Sequence, residues 1–259
     1  GIKNYTKETS EKIIGSTREK YQEELYNAIE EGNFPKWKMY IQAMPEEEAG
    51  QQSYNPFDLT KIWPHADYPM IEVGEMELNK NPENYFNQVE QAAFSPSNIV
   101  PGISWSPDKM LQARVFSYAD AHRYRIGTHY EMLPVNKPLS EVNTYHADGP
   151  MNFSEPKSSD AYYEPNSFEG ATQDEQYLEP AFPVNGDGNR YDHLEDDNDH
   201  YSQVNTLFNI MNDNQKEQLF NNIAEAMTGV PQEIINRQLT LFERVHKDYA
   251  DGVKKALKL

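Results

Sequence analysis

The stretch RVFSYADAHRYR, residues 114–125, gathers three arginines and a histidine around Tyr118 in a chain whose formal charge is −19. It lacks proline and glycine, and Ser106, Pro107 and Asp108 precede it as a helix-start signature, with the acidic residue favoured by the helix dipole. The spacing predicts a helix over about 106–126. At about 100° per residue, Tyr118 lies roughly 40°, His122 roughly 80° and Arg125 roughly 20° from Arg114, with Met110 at roughly −40°. One face therefore carries all five. A free tyrosine has a pKa of about 10, so a tyrosinate at neutral pH costs about 4 kcal/mol. Arg114, one turn earlier, would offset part of that cost, and a ferric ion would offset more.

Working outward, the 259-residue chain is long enough for one large or two modest domains. Its acidity argues against a nucleic-acid or anionic-membrane surface, because tracking phosphates needs a broad basic field. With no cysteine, disulfides, thiolate zinc sites and iron–sulfur clusters are excluded within this sequence, and a reducing compartment is compatible. No apolar run approaches the roughly 18 residues of a membrane span. The expectation is a soluble, cytoplasmic protein without nucleic-acid or membrane partners. Starting at Gly1 without an initiator Met, it reads as a processed or partial chain.

From Ser10 the spacing predicts a helix with Tyr21, Leu25, Ala28 and Ile29 on one face, stopped by Gly32. In KWKMYIQAM, Trp37, Met39, Ile41 and Ala43 alternate with polar neighbours as in a strand. In YPMIEVGEMELNK the apolar phase shifts across Gly74, from Ile71 and Val73 to Met76 and Leu78, which predicts a bulge. Two strands alone would be marginal in water, so they are expected to border a larger sheet. A helix is predicted from Asn81 as N-cap and Pro82, carrying Tyr85, Phe86, Val89, Ala92 and Ala93 on one face. Residues 127–200 lack periodicity but contain Tyr145, Phe153, Tyr162, Tyr163, Phe168, Tyr177 and Phe182, which favours a segment wrapped over protein rather than disorder. Two amphipathic helices should close the chain, through Leu219–Met227 and Ile235–Val245, separated by Gly229 and Pro231.

On the chemistry, a tyrosinate is a known axial ligand of haem iron, and a cation such as Arg125 would suit a haem propionate. The same residues also suit a solvated basic face with Tyr118 in the core. HLEDDNDH reads as a solvated acidic turn, DGNRYDHLE fails the calcium-loop pattern, and NGDGNR has too few glycines for a dinucleotide loop. Trp63 and His65 could form a stacking surface or simply cap a strand.

Beyond spacing, YNPFDLTKIWPHADYPMIEVG, NPENYFNQVEQAAFSPSNIVPGI, SPDKMLQARVFSYADAHRYRIG and LPVNKP closely resemble the carboxy-terminal half of the monofunctional haem catalases. The family's proximal motif, R-x-F-S/A-Y-x-D-x-H-R, falls on Arg114 to Arg123. The resemblance implies Tyr118 as axial haem ligand, Arg114 as its charge partner, Arg125 as a propionate contact, and Phe94, Met110 and His122 as pocket residues. It implies Asp108 as a carboxylate of the proximal hydrogen-bond network, and in some members NADPH bound by residues at Trp63, His65 and Gln203. The implied fold is α+β: part of an antiparallel β-barrel with an inserted helix (1–80), a wrapping segment with the proximal helix (81–200), and a helical domain (201–259). The implied function is dismutation of hydrogen peroxide with haem b in a homotetramer. The distal His and Asn of the family would come from an amino-terminal half, without which the chain should be inactive. The alternative is a non-catalytic partial chain without haem, serving only as an assembly or binding surface.

Overall fold

The computed structural model describes residues 5–140, 148–153, 163–168, 172–178 and 199–259. Helix α1 (Lys7–Ser16) starts at Thr6, whose hydroxyl accepts from the Thr9 N–H. Helix α2 (Lys20–Glu30) ends in a Schellman turn: Gly32, at φ +76°, donates to the Ile29 carbonyl and Asn33 to that of Ala28. The helix predicted from Ser10 is thus two helices, broken at Thr17, whose backbone is extended. Of the predicted face only Ile29 is buried, while Tyr21 and Leu25 are exposed.

Strand β1 (Lys36–Ile41) is followed by the single turn α3 (Glu46–Ala49) and by β2 (Ile71–Glu77), which pairs antiparallel with β1. Met39 faces Gly74 but Tyr40 faces Glu72, so Val73 is the extra residue of a bulge, beside the glycine where the apolar phase shifts. Both strands are exposed along their whole length. Lys36 bonds Glu75 and Glu77 at 3.2 and 2.8 Å, and Lys38 bonds Glu72 at 3.0 Å. Exposed pairs of this kind contribute at most about 1 kcal/mol each.

The helix expected from Asn81 is corrected to one π-turn, Phe86–Glu90. Gln88 explains the delay: its side-chain oxygen accepts from the N–H groups of Glu83 and Asn84 at 2.8 and 3.1 Å, and Asn84 caps the Asn87 N–H at 3.0 Å. Helix formation therefore starts one turn later than Asn81-Pro82 suggests. Helix α4 (Lys109–Arg125) is capped by Asp108, which accepts from Leu111, so the predicted helix forms but its cap falls two residues beyond the Ser106-Pro107 start that the sequence suggests. Beyond it, the described residues up to 178 hold only the short 3₁₀ turns Tyr130–Met132 and Glu175–Tyr177. Tyr145, Tyr162 and Phe182 lie outside the described residues.

Four helices, not the expected two, close the chain: α5 (Ser202–Ile210), α6 (Asp213–Ala226), α7 (Gln232–Val245) and α8 (Lys247–Ala256). The two missed ones are short, α5 rich in polar residues and α8 interrupted by Gly252, and both are held by packing. Phe208 of α5, 2 % exposed, stacks on Tyr249 of α8 at 5.3 Å, and Tyr249 stacks on Phe242 of α7 at 4.7 Å. Val253 of α8 is wholly buried. A capping box at Asn212 and Gln215 opens α6.

The chain divides into two compact units. One comprises residues 1–56, 60–77 and 189–259, and the other residues 57–59 and 78–188. No helix among the described residues is long and apolar enough to cross a membrane.

Candidate functional site

Helix α4 puts Arg114 and Tyr118 one turn apart, and the Arg114 Nη2 donates to the Tyr118 hydroxyl at 3.3 Å. The guanidinium carbon also stands 5.2 Å from the Tyr118 ring centroid. Both side chains line a recess of about 660 Å³, whose remaining wall comes from the 88–98 segment (Gln88, Ala92, Ala93, Phe94, Ser95, Pro96, Asn98) and from Val135 and Asn136. Phe94 presents its ring almost free, 84 % exposed. The recess thus joins a mostly apolar wall to a phenol with its own cationic donor.

The other residues of the predicted face do different work. His122 is buried, its ring centroid 5.8 Å from that of Tyr118 and 5.3 Å from that of Tyr130, and its Nε2 lies 2.9 Å from the Phe94 carbonyl. A carbonyl only accepts, so Nε2 carries the proton. Arg125 donates from Nη1 to the Glu90 carbonyl at 2.7 Å and from Nη2 to that of Ala92 at 2.8 Å. Met110 sits exposed in the first turn of α4 and does not line the recess. Asp108 caps the same turn.

In the other unit, Gln203 accepts from the Ile62 N–H at 2.9 Å and donates to the Ile62 carbonyl at 3.0 Å, so it lies against the residue preceding Trp63. The Trp63 indole donates to the Pro56 carbonyl at 3.1 Å and packs 5.6 Å from Tyr68, while His65 is exposed. The three residues thus come from one neighbourhood, with the Gln203 amide engaged by backbone on both its ends. Among the described residues no group of three or more His, Asp or Glu is placed to hold a metal ion. The segments DGNRYDHLE and NGDGNR, and HLEDDNDH up to Asn198, lie outside the described residues.

Asn136, Val135 and Asn98 of the recess escaped the reading of the sequence. A signal existed for Asn136, a lone amide between prolines in the segment PVNKP, 134–138.

Comparison with known proteins decides the family. The model of the family described as "Catalase" matches residues 1–170, and that described as "Catalase-related immune-responsive" matches residues 194–257. The chain belongs to the catalase family. A catalase of Neisseria gonorrhoeae is 52 % identical over 259 residues, covering 100 % of this chain and 52 % of its own length. A catalase of the Onchocerca volvulus endobacterium is 51 % identical over 258 residues, with shares of 99 % and 53 %. Among solved structures, catalase A from Saccharomyces cerevisiae superposes with a TM-score of 0.87 at 38 % identity, covering 99 % of this chain and 54 % of that one. The chain spans about half the length of the catalases it matches.

Proposed function

We propose that this chain supplies the proximal haem side of a haem catalase, acting on hydrogen peroxide together with an amino-terminal half that contributes the distal His and Asn. The observation that carries this reading is the Arg114–Tyr118 pair, bonded at 3.3 Å and facing a recess walled by Phe94, Ala92, Ala93 and Val135. These residues fit a haem: the phenol oxygen is the natural iron donor, the apolar wall suits a porphyrin face, and Phe94 is exposed toward solvent as a surface awaiting a partner would be. When bound, the haem would supply the redox chemistry by which two peroxides become two waters and one dioxygen.

The chain's own contribution is electrostatic and positional. Tyr118 would hold the iron through its phenolate oxygen. Arg114 would keep its guanidinium on that oxygen, stabilising the negative charge and turning the ring. His122, held by the Phe94 carbonyl, would brace the pocket behind Tyr118. Two of the Arg125 N–H groups are spent on backbone carbonyls, which leaves three of its five donors for a propionate. Met110 and Asp108 would keep the roles that the family resemblance gives them.

The rest of the reading follows the family: haem b, a homotetramer, a cytoplasmic location, and NADPH at Trp63, His65 and Gln203 as an optional ligand. The three-part division into a barrel portion (1–80), a wrapping segment (81–200) and a helical domain (201–259) belongs to the same proposal, and the exposed β1–β2 ribbon is where the remaining barrel would add.

Tyr118→Phe in the full-length protein tests the assignment. The substitution should abolish or grossly alter the haem Soret spectrum and oxygen release. An unchanged spectrum would show that Tyr118 is not the ligand, and a parent protein without any Soret band would favour the non-catalytic alternative.

A further inference from the structure

Between Glu90, the last residue of the π-turn, and Phe94, side chains take the carbonyls of Glu90, Gln91, Ala92 and Phe94 and the N–H of Ala93. Arg125 takes the carbonyls of Glu90 and Ala92, and His122 takes that of Phe94. Asn136 supplies the rest: its side-chain oxygen accepts from the Ala93 N–H at 2.8 Å, and its amide nitrogen donates at 2.9 Å to the carbonyls of both Gln91 and Tyr130. Three of its four hydrogen-bonding positions are thereby used on backbone. The sequence separations are 43, 45 and 6 residues, so one side chain ties the recess wall to the turn that follows α4. That turn carries Tyr130, whose ring lies 5.3 Å from His122.

We propose that Asn136 is a positioning residue of the haem pocket: by pinning Gln91 and Ala93 it fixes the wall bearing Phe94 relative to Tyr118. This rests on the haem reading above. No other side chain of similar size offers an acceptor and two donors in one plane. Aspartate would keep the acceptor but turn an oxygen toward two carbonyls, alanine would lose all three bonds, and glutamine would overshoot by a methylene.

The test uses full-length, haem-loaded protein with Asn136→Ala and Asn136→Asp, and with Gly252→Ala, placed in the other structural unit, as a control of lowered stability. Two quantities are read: the rate of haem transfer to an excess of haem-scavenging apoprotein, and hydrogen exchange at the Ala93 amide. Both Asn136 variants should release haem about tenfold faster. Asn136→Ala should also expose the Ala93 amide, whereas Asn136→Asp should retain part of its protection. The control should lower the melting temperature with haem release unchanged. Should Asn136→Ala fail to fold, Asn136→Asp carries the test alone. Release at the parent rate, or equally fast release in the control, overturns the proposal. Exchange at Ala93 can be read in protein without haem, so failure of the clamp and failure of the haem reading give different results.

Discussion

Arg114 and Tyr118 meet across one helical turn, and the consequence belongs to those two side chains alone. A hydrogen bond to a charged group contributes about 1.5–3 kcal/mol. On the haem reading proposed above, Arg114→Met in protein completed by the amino-terminal half should lower kcat by about tenfold to hundredfold with haem retained, read as oxygen released from peroxide. Asp199 gives a second test at this scale. The Ser202 hydroxyl and N–H, then the Tyr201 N–H, bond its carboxylate and hold its pKa at about 2, below the ordinary carboxylate value. A depressed carboxylate stabilises the fold above its unfolded pKa, and that contribution shrinks as pH falls below about 4 and is lost as pH passes through about 2. Asp199→Ala should cost about 1 kcal/mol at pH 6 and progressively less as pH falls toward 2, measured as the gap between the melting temperatures of parent and variant. For the candidate site, Arg114 and Tyr118 were legible because a period of 3.6 residues places them without knowledge of any other element. Asn136 was not, because its three partners lie on the 91–93 segment and at Tyr130, and no periodicity joins them to it.

At the scale of elements, helix α8 depends on a contact that its own sequence argues against. Gly252 weakens an isolated helix, yet a Cβ there would stand 2.3–2.6 Å from three carbons of the Phe220 ring. That ring is confined, since it lies 6.1 Å from Phe208 and 6.3 Å from Tyr249. Gly252→Ala, favourable by helix propensity, should instead destabilise by about 1–3 kcal/mol on thermal unfolding; a rise in melting temperature would show that the ring moves aside. The capping box of α6 is a simpler case: Asn212→Ala should cost about 1 kcal/mol. Capping also explains why two predictions fared differently. Asp108 starts α4 within two residues of the start that the sequence suggests at Ser106, because one side chain and one N–H suffice. The Asn81 start fails because Gln88 competes for the N–H groups of Glu83 and Asn84.

For the whole molecule, the ribbon of β1 and β2 sets the problem. Trp37, Met39, Ile41, Ile71, Val73 and Met76 are all exposed, on a pair of strands that could not be stable in isolation. If an amino-terminal half covers this ribbon, Met39→Lys should leave the stability of the 259-residue chain within about 0.5 kcal/mol, since the side chain is already in water. The same change should prevent assembly with a separately produced amino-terminal half, followed by the appearance of a Soret band on mixing; assembly at the parent level would exclude the ribbon as the contact. The sequence by itself determined the helix that carries Arg114 and Tyr118, the spacing of that pair, the strand bulge beside Gly74 and the family, because each is local or carried by contiguous residues. Only the tertiary structure decided that Arg125 and His122 grip the backbone of 90–94, that Asn136 completes the grip, and that α5 and α8 are helices at all. Those outcomes depend on carbonyls and aromatic rings supplied by remote segments, and hydrogen bonds and packing across such distances leave no period in the chain.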